Sequence, residues 1–253
     1  LETGDYLYLP PMLEMNVFWK LKEHYVPEQI IEKFSNPGNI VMDIGANIGE
    51  WTLRMANKVG TNGRVYSFEP LPIINQSLNK TLRVNNLSQV VLSQIALDNL
   101  SGQSNFTIPI DDSDRAIHGE SRLGTEEGNW NIFTDVKKTK IIEVETIRLD
   151  EFISKQSINR LDFVKIDVEG KEVRVLEGGQ ETFSRFTPAL ILEVGCEEEN
   201  ARKKIAELLR SWGYSITGIL LPHGIAEIGW EQYTNLLNPF IKKYPSNVLF
   251  LSS

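Results

Sequence analysis

The chain has 253 residues, of which 41% are hydrophobic and 24% charged, the proportions of an ordinary globular protein rather than a disordered or fibrous one. A formal net charge of -8 argues against a nucleic-acid partner held by general phosphate attraction. The single cysteine, Cys196, excludes an internal disulfide or a cysteine zinc cluster.

Residues 1–20 lack a basic start followed by an apolar stretch, and no apolar run reaches the roughly 18 residues of a membrane span. Together with the lone cysteine this predicts a cytoplasmic protein without membrane insertion. A helical segment is expected over residues 13–34, broken by Pro27 and closed by the turn "SNPGN". Strand 40–44, helix 49–58, strand 64–69, helix 72–86 and strand 90–96 follow as βα units, which imply a parallel sheet covered on both faces. Then "SNFTIPI" and "KTKIIEVETIRL" read as β-rich, flanking a polar stretch, 111–138, that is long for an ordinary connection and suits an active-site cover. The alternation resumes with strand 161–167, helix 171–185, strand 189–194 and helix 198–212, and ends in strands 215–221 and 247–252. The simplest organisation is one α/β domain with an N-terminal helical segment (1–37) and a β-rich insertion (104–150).

In such a sheet, ligands bind outside the carboxyl ends of the strands where the winding reverses, usually beside the first strand. There the sequence reads "IVMDIGANIGEW", with glycines spaced G-x-x-x-G at Gly45 and Gly49. A dinucleotide fingerprint needs G-x-G-x-x-G, so a pyrophosphate is disfavoured. The next strand ends in "VYSFEP" and puts Glu69 where a carboxylate can accept both ribose hydroxyls, while Asp43 suits an amino-bearing or cationic ligand. S-adenosylmethionine combines a nucleoside, an amino group and a sulfonium without phosphate. Alternatively, Asp43 and Glu69 do no more than cap their loops.

The stretches "VMDIGANIGEWTL", "VYSFEPLP", "LRVNNL" followed by "IALDNLSG", and "LDFVKIDVEGKEVRVLEGG" together resemble the FkbM family of S-adenosylmethionine-dependent methyltransferases over roughly residues 22–195. The resemblance implies a class I methyltransferase fold, Rossmann-like, with a seven-stranded, mostly parallel sheet and helices on both faces. It further implies that Asp43, Gly45, Asn47 and Gly49 hold the methionine portion, that Glu69 clamps the ribose and that Ala96 lies beside adenine. Where the family often carries a histidine after the strand written here "LILEV", this chain has "GCEEE". O-methylation of sugar or polyketide-like natural-product hydroxyls, small or carrier-bound, is the activity so implied.

Deprotonating a hydroxyl acceptor calls for a base. Asp167 and Glu169 of "VKIDVEGKE" flank one β-residue and are expected to point the same way, with Glu193 at the end of the next strand as a further proton acceptor. Those three carboxylates could also hold Mg²⁺, a second choice behind a metal-free site, and Glu169 could instead cap the helix that follows. His118 in the polar insertion is a third catalytic candidate; it and His24 could equally be solvated surface, and Arg115, Arg122 and Trp130 accompany His118. Two competing functions remain on this reading: a nicotinamide-dependent oxidoreductase built on the same sheet, and a non-catalytic S-adenosylmethionine-binding module.

Overall fold

A computed structural model describes residues 4–10, 28–111, 116, 121–125, 136, 138–194, 199–221, 224–235 and 246–252. Of the N-terminal helical segment, the described part is α1 (Glu28–Phe34). Strand β1 (Ile40–Ile44) leads to α2 (Glu50–Val59), β2 (Arg64–Phe68), α3 (Pro72–Val84) and β3 (Val90–Ser93). After the insertion come α4 (Leu149–Lys155), β8 (Phe163–Ile166), α5 (Glu172–Gly178), α6 (Gln180–Phe186), β9 (Ala189–Val194), α7 (Glu199–Ser211), β10 (Tyr214–Leu221), β11 (Gly224–Glu227), α8 (Trp230–Thr234) and β12 (Ser246–Ser252).

The main sheet has the order β11-β10-β12-β9-β8-β1-β2-β3. β3, β2, β1, β8 and β9 run parallel, and β12, β10 and β11 pair antiparallel at one edge. Seven of these strands match expectation; β11 is an eighth, a hairpin return from β10 that extends the edge. The winding runs outward from β1 to β2 and β3, then returns to β8 on the other side of β1. In an open sheet such a reversal marks the carboxyl ends of β1 and β8 as the place for a ligand crevice.

Alternation along the strands divides the core between the two faces. Met42, Ile44, Val164, Ile166, Leu190 and Leu192 pack on one side, with Phe152, Val175 and Leu176 from α4 and α5. Val41, Val65, Phe163 and Ile191 pack on the other, against Trp51, Leu53, Met55 and Ala56 of α2. Leu53 and Met55 are wholly buried, each contributing about 1.5–3 kcal/mol by leaving water.

The insertion builds its own sheet, order β4-β7-β5-β6, from β4 (Ala96–Leu97), β5 (Gly102–Ile110), β6 (Arg122–Leu123) and β7 (Lys138–Ile147). The strand expected over 90–96 therefore splits: β3 ends at Ser93 and Ala96 joins the second sheet opposite Thr146. The helix expected over 171–185 also splits, at the Gly178–Gly179 pair. A Cβ on Gly178 would stand 2.1 Å from the Asp98 carbonyl oxygen, so the glycine is what lets α5 press against the segment after β4.

Candidate active site

The two glycines of "DIGANIG" serve the protein's own packing first. Gly45 has φ 77°, and a Cβ there would lie 1.8 Å from the Asp167 carbonyl oxygen, so the loop after β1 is stacked on the backbone after β8. Gly49, at φ 95°, leaves room for Leu78 of α3, whose Cδ1 a Cβ would meet at 2.3 Å. The bare backbone expected to approach a ligand is thus also where two loops of the crevice meet.

Between these glycines Asn47 takes a left-handed φ of 49°, and its backbone amide donates to Glu69 Oε2 at 3.0 Å. The Leu71 amide donates to Oε1 at 2.8 Å. Glu69 is 6% exposed, and burial pushes its carboxyl up to about 7 in spite of those two amides. Each oxygen keeps a further lone pair, and two of them side by side at the end of β2 match vicinal ribose hydroxyls.

Asp43 is not aimed into the crevice. Its side chain is wholly buried, accepts a hydrogen bond from Thr52 Oγ1 at 2.5 Å and pairs with the Lys165 ammonium at 3.4 Å. Thr52 Oγ1 also lies 2.9 Å from Ser67 Oγ. Lys165, itself 2% exposed, donates to the Gly45 carbonyl at 2.8 Å and reaches Asp167 Oδ2 at 3.1 Å. Burial works against its charge, but Asp167 and Asp43 outweigh it and hold the ammonium's pKa above the ordinary lysine value. Sequence reasoning missed Lys165. Its signal was a lysine inside the apolar run "FVKI", two residues before Asp167 and hence on the same face.

At the ends of β8 and β9, Asp167, Glu169 and Glu193 each offer a carboxylate oxygen, and these oxygens lie within 4.8 Å of one another. The expected convergence is present for a different reason. Strand β8 stops at Ile166, and Glu169 is turned back by a left-handed pair, Glu169 at φ 53° and Gly170 at 89°. Glu172 accepts the loop amides before α5, from Val168 at 3.1 Å and Gly170 at 3.3 Å. Glu193 is pushed well above the carboxylate range by burial, then by the charges of Asp167 and Glu169 and a hydrogen bond with Asp167.

Ala96 is buried with Leu71, Ile74 and Phe106 on the far side of the β2 end. Beyond it Asp98 is 1% exposed and receives Arg174 Nη2 at 2.6 Å, tying α5 to this segment. His118, Arg115, Trp130 and His24 lie outside the described residues; Arg122 is in β6.

The parallel sheet with its antiparallel edge, the reversal at β1 and the acid at the end of β2 define a class I S-adenosylmethionine-dependent methyltransferase. More narrowly, the chain belongs to the FkbM methyltransferase family: the Methyltransferase FkbM domain matches residues 43–216. Methyltransferase sdnD of Sordaria araneosa is 30% identical over 204 residues, 72% of this chain and 75% of that one. The 31-O-demethyl-FK506 methyltransferase FkbM of Streptomyces tacrolimicus is 27% identical over 195 residues, 71% and 74% of the two chains. Among solved structures, a Methyltransferase FkbM from Methylobacillus flagellatus KT superposes with a TM-score of 0.52 at 15% identity. That likeness covers 88% of this chain, which spans half the length of the other. The family assignment sets aside the oxidoreductase alternative. Among the described residues no helix is long and apolar enough to cross a membrane.

Proposed function

We propose that this methyltransferase acts on oxygen, methylating a hydroxyl of a sugar or polyketide-like natural product, free or carrier-bound, and not a nucleic acid. The observation that carries this reading is the gathering of Asp167, Glu169 and Glu193 at the ends of β8 and β9, carboxylate oxygens within 4.8 Å of one another that can take up a hydroxyl proton. The relative from Streptomyces tacrolimicus is named for an oxygen position, which agrees with it.

The side chains at these strand ends suit S-adenosylmethionine. With Asp43 spent on Lys165, the acidic groups left at these strand ends are Glu69, Asp167, Glu169 and Glu193, a set that suits an ammonium and a sulfonium better than a pyrophosphate. Glu69 would accept the ribose hydroxyls, and the loop from Gly45 to Gly49 would hold the methionine portion, with Ala96 toward the adenine. When bound, the cofactor supplies an electrophilic methyl carbon on sulfur. The proton of an acceptor hydroxyl held at these strand ends would pass to Glu193 or Asp167, and the raised proton affinity of Glu193 would make it the stronger base once ionised. Glu169 lies close enough to hold the same hydroxyl, and alignment supplies the rest of the rate. His118 is retained as an alternative base in the insertion.

Magnesium is the second reading, because three carboxylate oxygens within 4.8 Å form a donor set that a hard cation accepts. Lys165 Nζ, 3.1 Å from Asp167, already places a positive charge there, which favours the metal-free form. The test is a panel of sugars and macrolactone or carrier-bound hydroxyls, followed by release of S-adenosylhomocysteine with and without chelator. Turnover on a hydroxyl acceptor that survives chelation supports the metal-free reading. Loss on chelation with recovery on added Mg²⁺ selects the second, and turnover on nitrogen or carbon acceptors alone rejects an oxygen target. Binding without turnover on any acceptor would point to the non-catalytic module.

A further inference from the structure

The buried Lys165 beneath the site neither binds a substrate nor moves a proton in the proposed function. Register and alternation place Ser67, Asp43 and Lys165 in one row across the sheet, on the α2 face. Asp167 and Glu193 continue the same parity one position past the Ile166–Leu192 pair. The result is a continuous polar line from Ser67 through Thr52, Asp43, Lys165 and Asp167 to Glu193, with apolar core on the rest of that face.

We propose that Lys165 is a positioning residue that couples the loop after β1 to the Asp167–Glu193 pair, so that seating the methyl donor sets the geometry of the proton acceptor. The inference rests on the assignment of those two ends as donor and acceptor sides. Lys165 has three oxygens around its ammonium: the Gly45 carbonyl, which accepts a hydrogen bond at 2.8 Å, Asp167 Oδ2 at 3.1 Å and Asp43 Oδ1 as an ion pair at 3.4 Å. One of these belongs to the donor loop, one to the acceptor side, and the third anchors the ammonium from below. Asp43 Oδ1 is buried without a hydrogen bond, so Lys165 is the charge that compensates it.

Stability does not account for the arrangement. Well-packed apolar residues in place of a buried ion pair are often neutral or stabilising, whereas this line of charges is laid between two loops of a crevice. The loops are already stacked, with Asp167 N donating to the Ile44 carbonyl at 3.0 Å and no room for a Cβ on Gly45. A shift of the Gly45 carbonyl on ligand binding therefore moves the ammonium, and with it the Asp167 carboxylate.

S-adenosylhomocysteine, at saturation, is the probe, and the ¹³C carboxyl resonances of Asp167 and Glu193 are the readout. In the wild type, binding is expected to shift the Glu193 resonance; in Lys165→Met, that resonance is expected to be the same with and without ligand. Because Lys165→Met alone leaves Asp43 uncompensated, the double variant Lys165→Met, Asp43→Asn is measured in parallel as the version that keeps the buried charge balanced. With an acceptor in hand, kcat at saturation of both substrates should fall about 10²-fold while acceptor KM holds, the pattern of misplacement and not of lost folding. A Glu193 response that persists in either folded variant, or is missing from a wild type that binds S-adenosylhomocysteine, overturns the coupling alone. A wild type that does not bind the ligand overturns the donor-side assignment as well.

Discussion

The ends of β1 and β2 and the ends of β8 and β9 lie side by side in one sheet, and they treat their acidic side chains in opposite ways. At the β2 end, Glu69 is held by two backbone amides, from Asn47 and Leu71, and its own carbonyl accepts Asn75 Nδ2 at 3.0 Å. At the β8 and β9 ends, Asp167, Glu169 and Glu193 are crowded against one another, with Lys165 as the nearby cation. Backbone amides cannot give up or take on charge, so the first arrangement fixes a shape. Burial raises the proton affinity of both Glu69 and Glu193, and at the second end neighbouring carboxyl groups add to it, so that end is the one built as a coupled proton site. Holding a ligand still and moving a proton thus fall to neighbouring strand ends of the same sheet.

Four predictions break or sharpen that contrast. The largest effect is expected from Gly45→Val, because its Cβ would sit on the Asp167 backbone oxygen, which cannot turn aside, in a φ region that β-branched residues avoid. A loss of about 4 kcal/mol or more, seen as a collapse of the thermal transition, is expected, since here the two ends are one packing unit. A Gly45→Val protein melting like the wild type would show that the loops are separable.

Next in size, Glu193→Gln, Asp167→Asn or Glu169→Gln should slow turnover about 10²- to 10⁴-fold while cofactor affinity stays largely intact. Single-turnover kinetics and calorimetry on the same preparations separate the two quantities. Full turnover in all three variants would leave His118 or alignment alone as the account of proton removal.

Glu69→Ala should do the reverse, weakening S-adenosylmethionine binding by roughly 1.5–3 kcal/mol, the scale of charge-assisted hydrogen bonds lost. Calorimetry gives the number directly, and an unchanged affinity removes Glu69 from the ribose.

The smallest effect is a pH dependence. Burial raises the Glu69 carboxyl from an ordinary 4.5 to about 7, so between those values the folded protein holds a proton that the unfolded chain has released. Stability of the ligand-free protein should therefore decline as pH rises through that window and level off above it. Glu50, likewise raised to about 7 by burial, and Glu193 act in the same direction, so Glu69→Gln should remove part of the slope and not all of it. Affinity for S-adenosylhomocysteine should rise over the same window, because an ionised carboxylate is the better acceptor. Melting curves and titrations at matched pH values test both signs; a Glu69→Gln slope equal to the wild type's would assign the effect to the other two acids.

Much of this molecule is written locally. The apolar run "IVMDI" ending at a glycine, the acid after "VYSF" and the run "ALILEV" dictated strands β1, β2 and β9, because strand alternation and turn chemistry depend on neighbours in sequence. The sequence also placed Asp167, Glu169 and Glu193 at adjacent strand ends, and its motifs named the family that the domain match bears out. What it did not contain was partners across strands. Whether Ala96 continued β3 or crossed to the second sheet depended on a free edge at Thr146, 50 residues away in sequence. That Gly45 yields to the Asp167 carbonyl, that Asp43 spends its charge on Lys165, and that Glu172 takes the amides of Val168 and Gly170 are all settled by register and by which buried charge finds compensation. Alternation is a property of one strand; compensation of a buried charge belongs to whatever the fold brings within a few ångströms of it, and only the tertiary structure decides that.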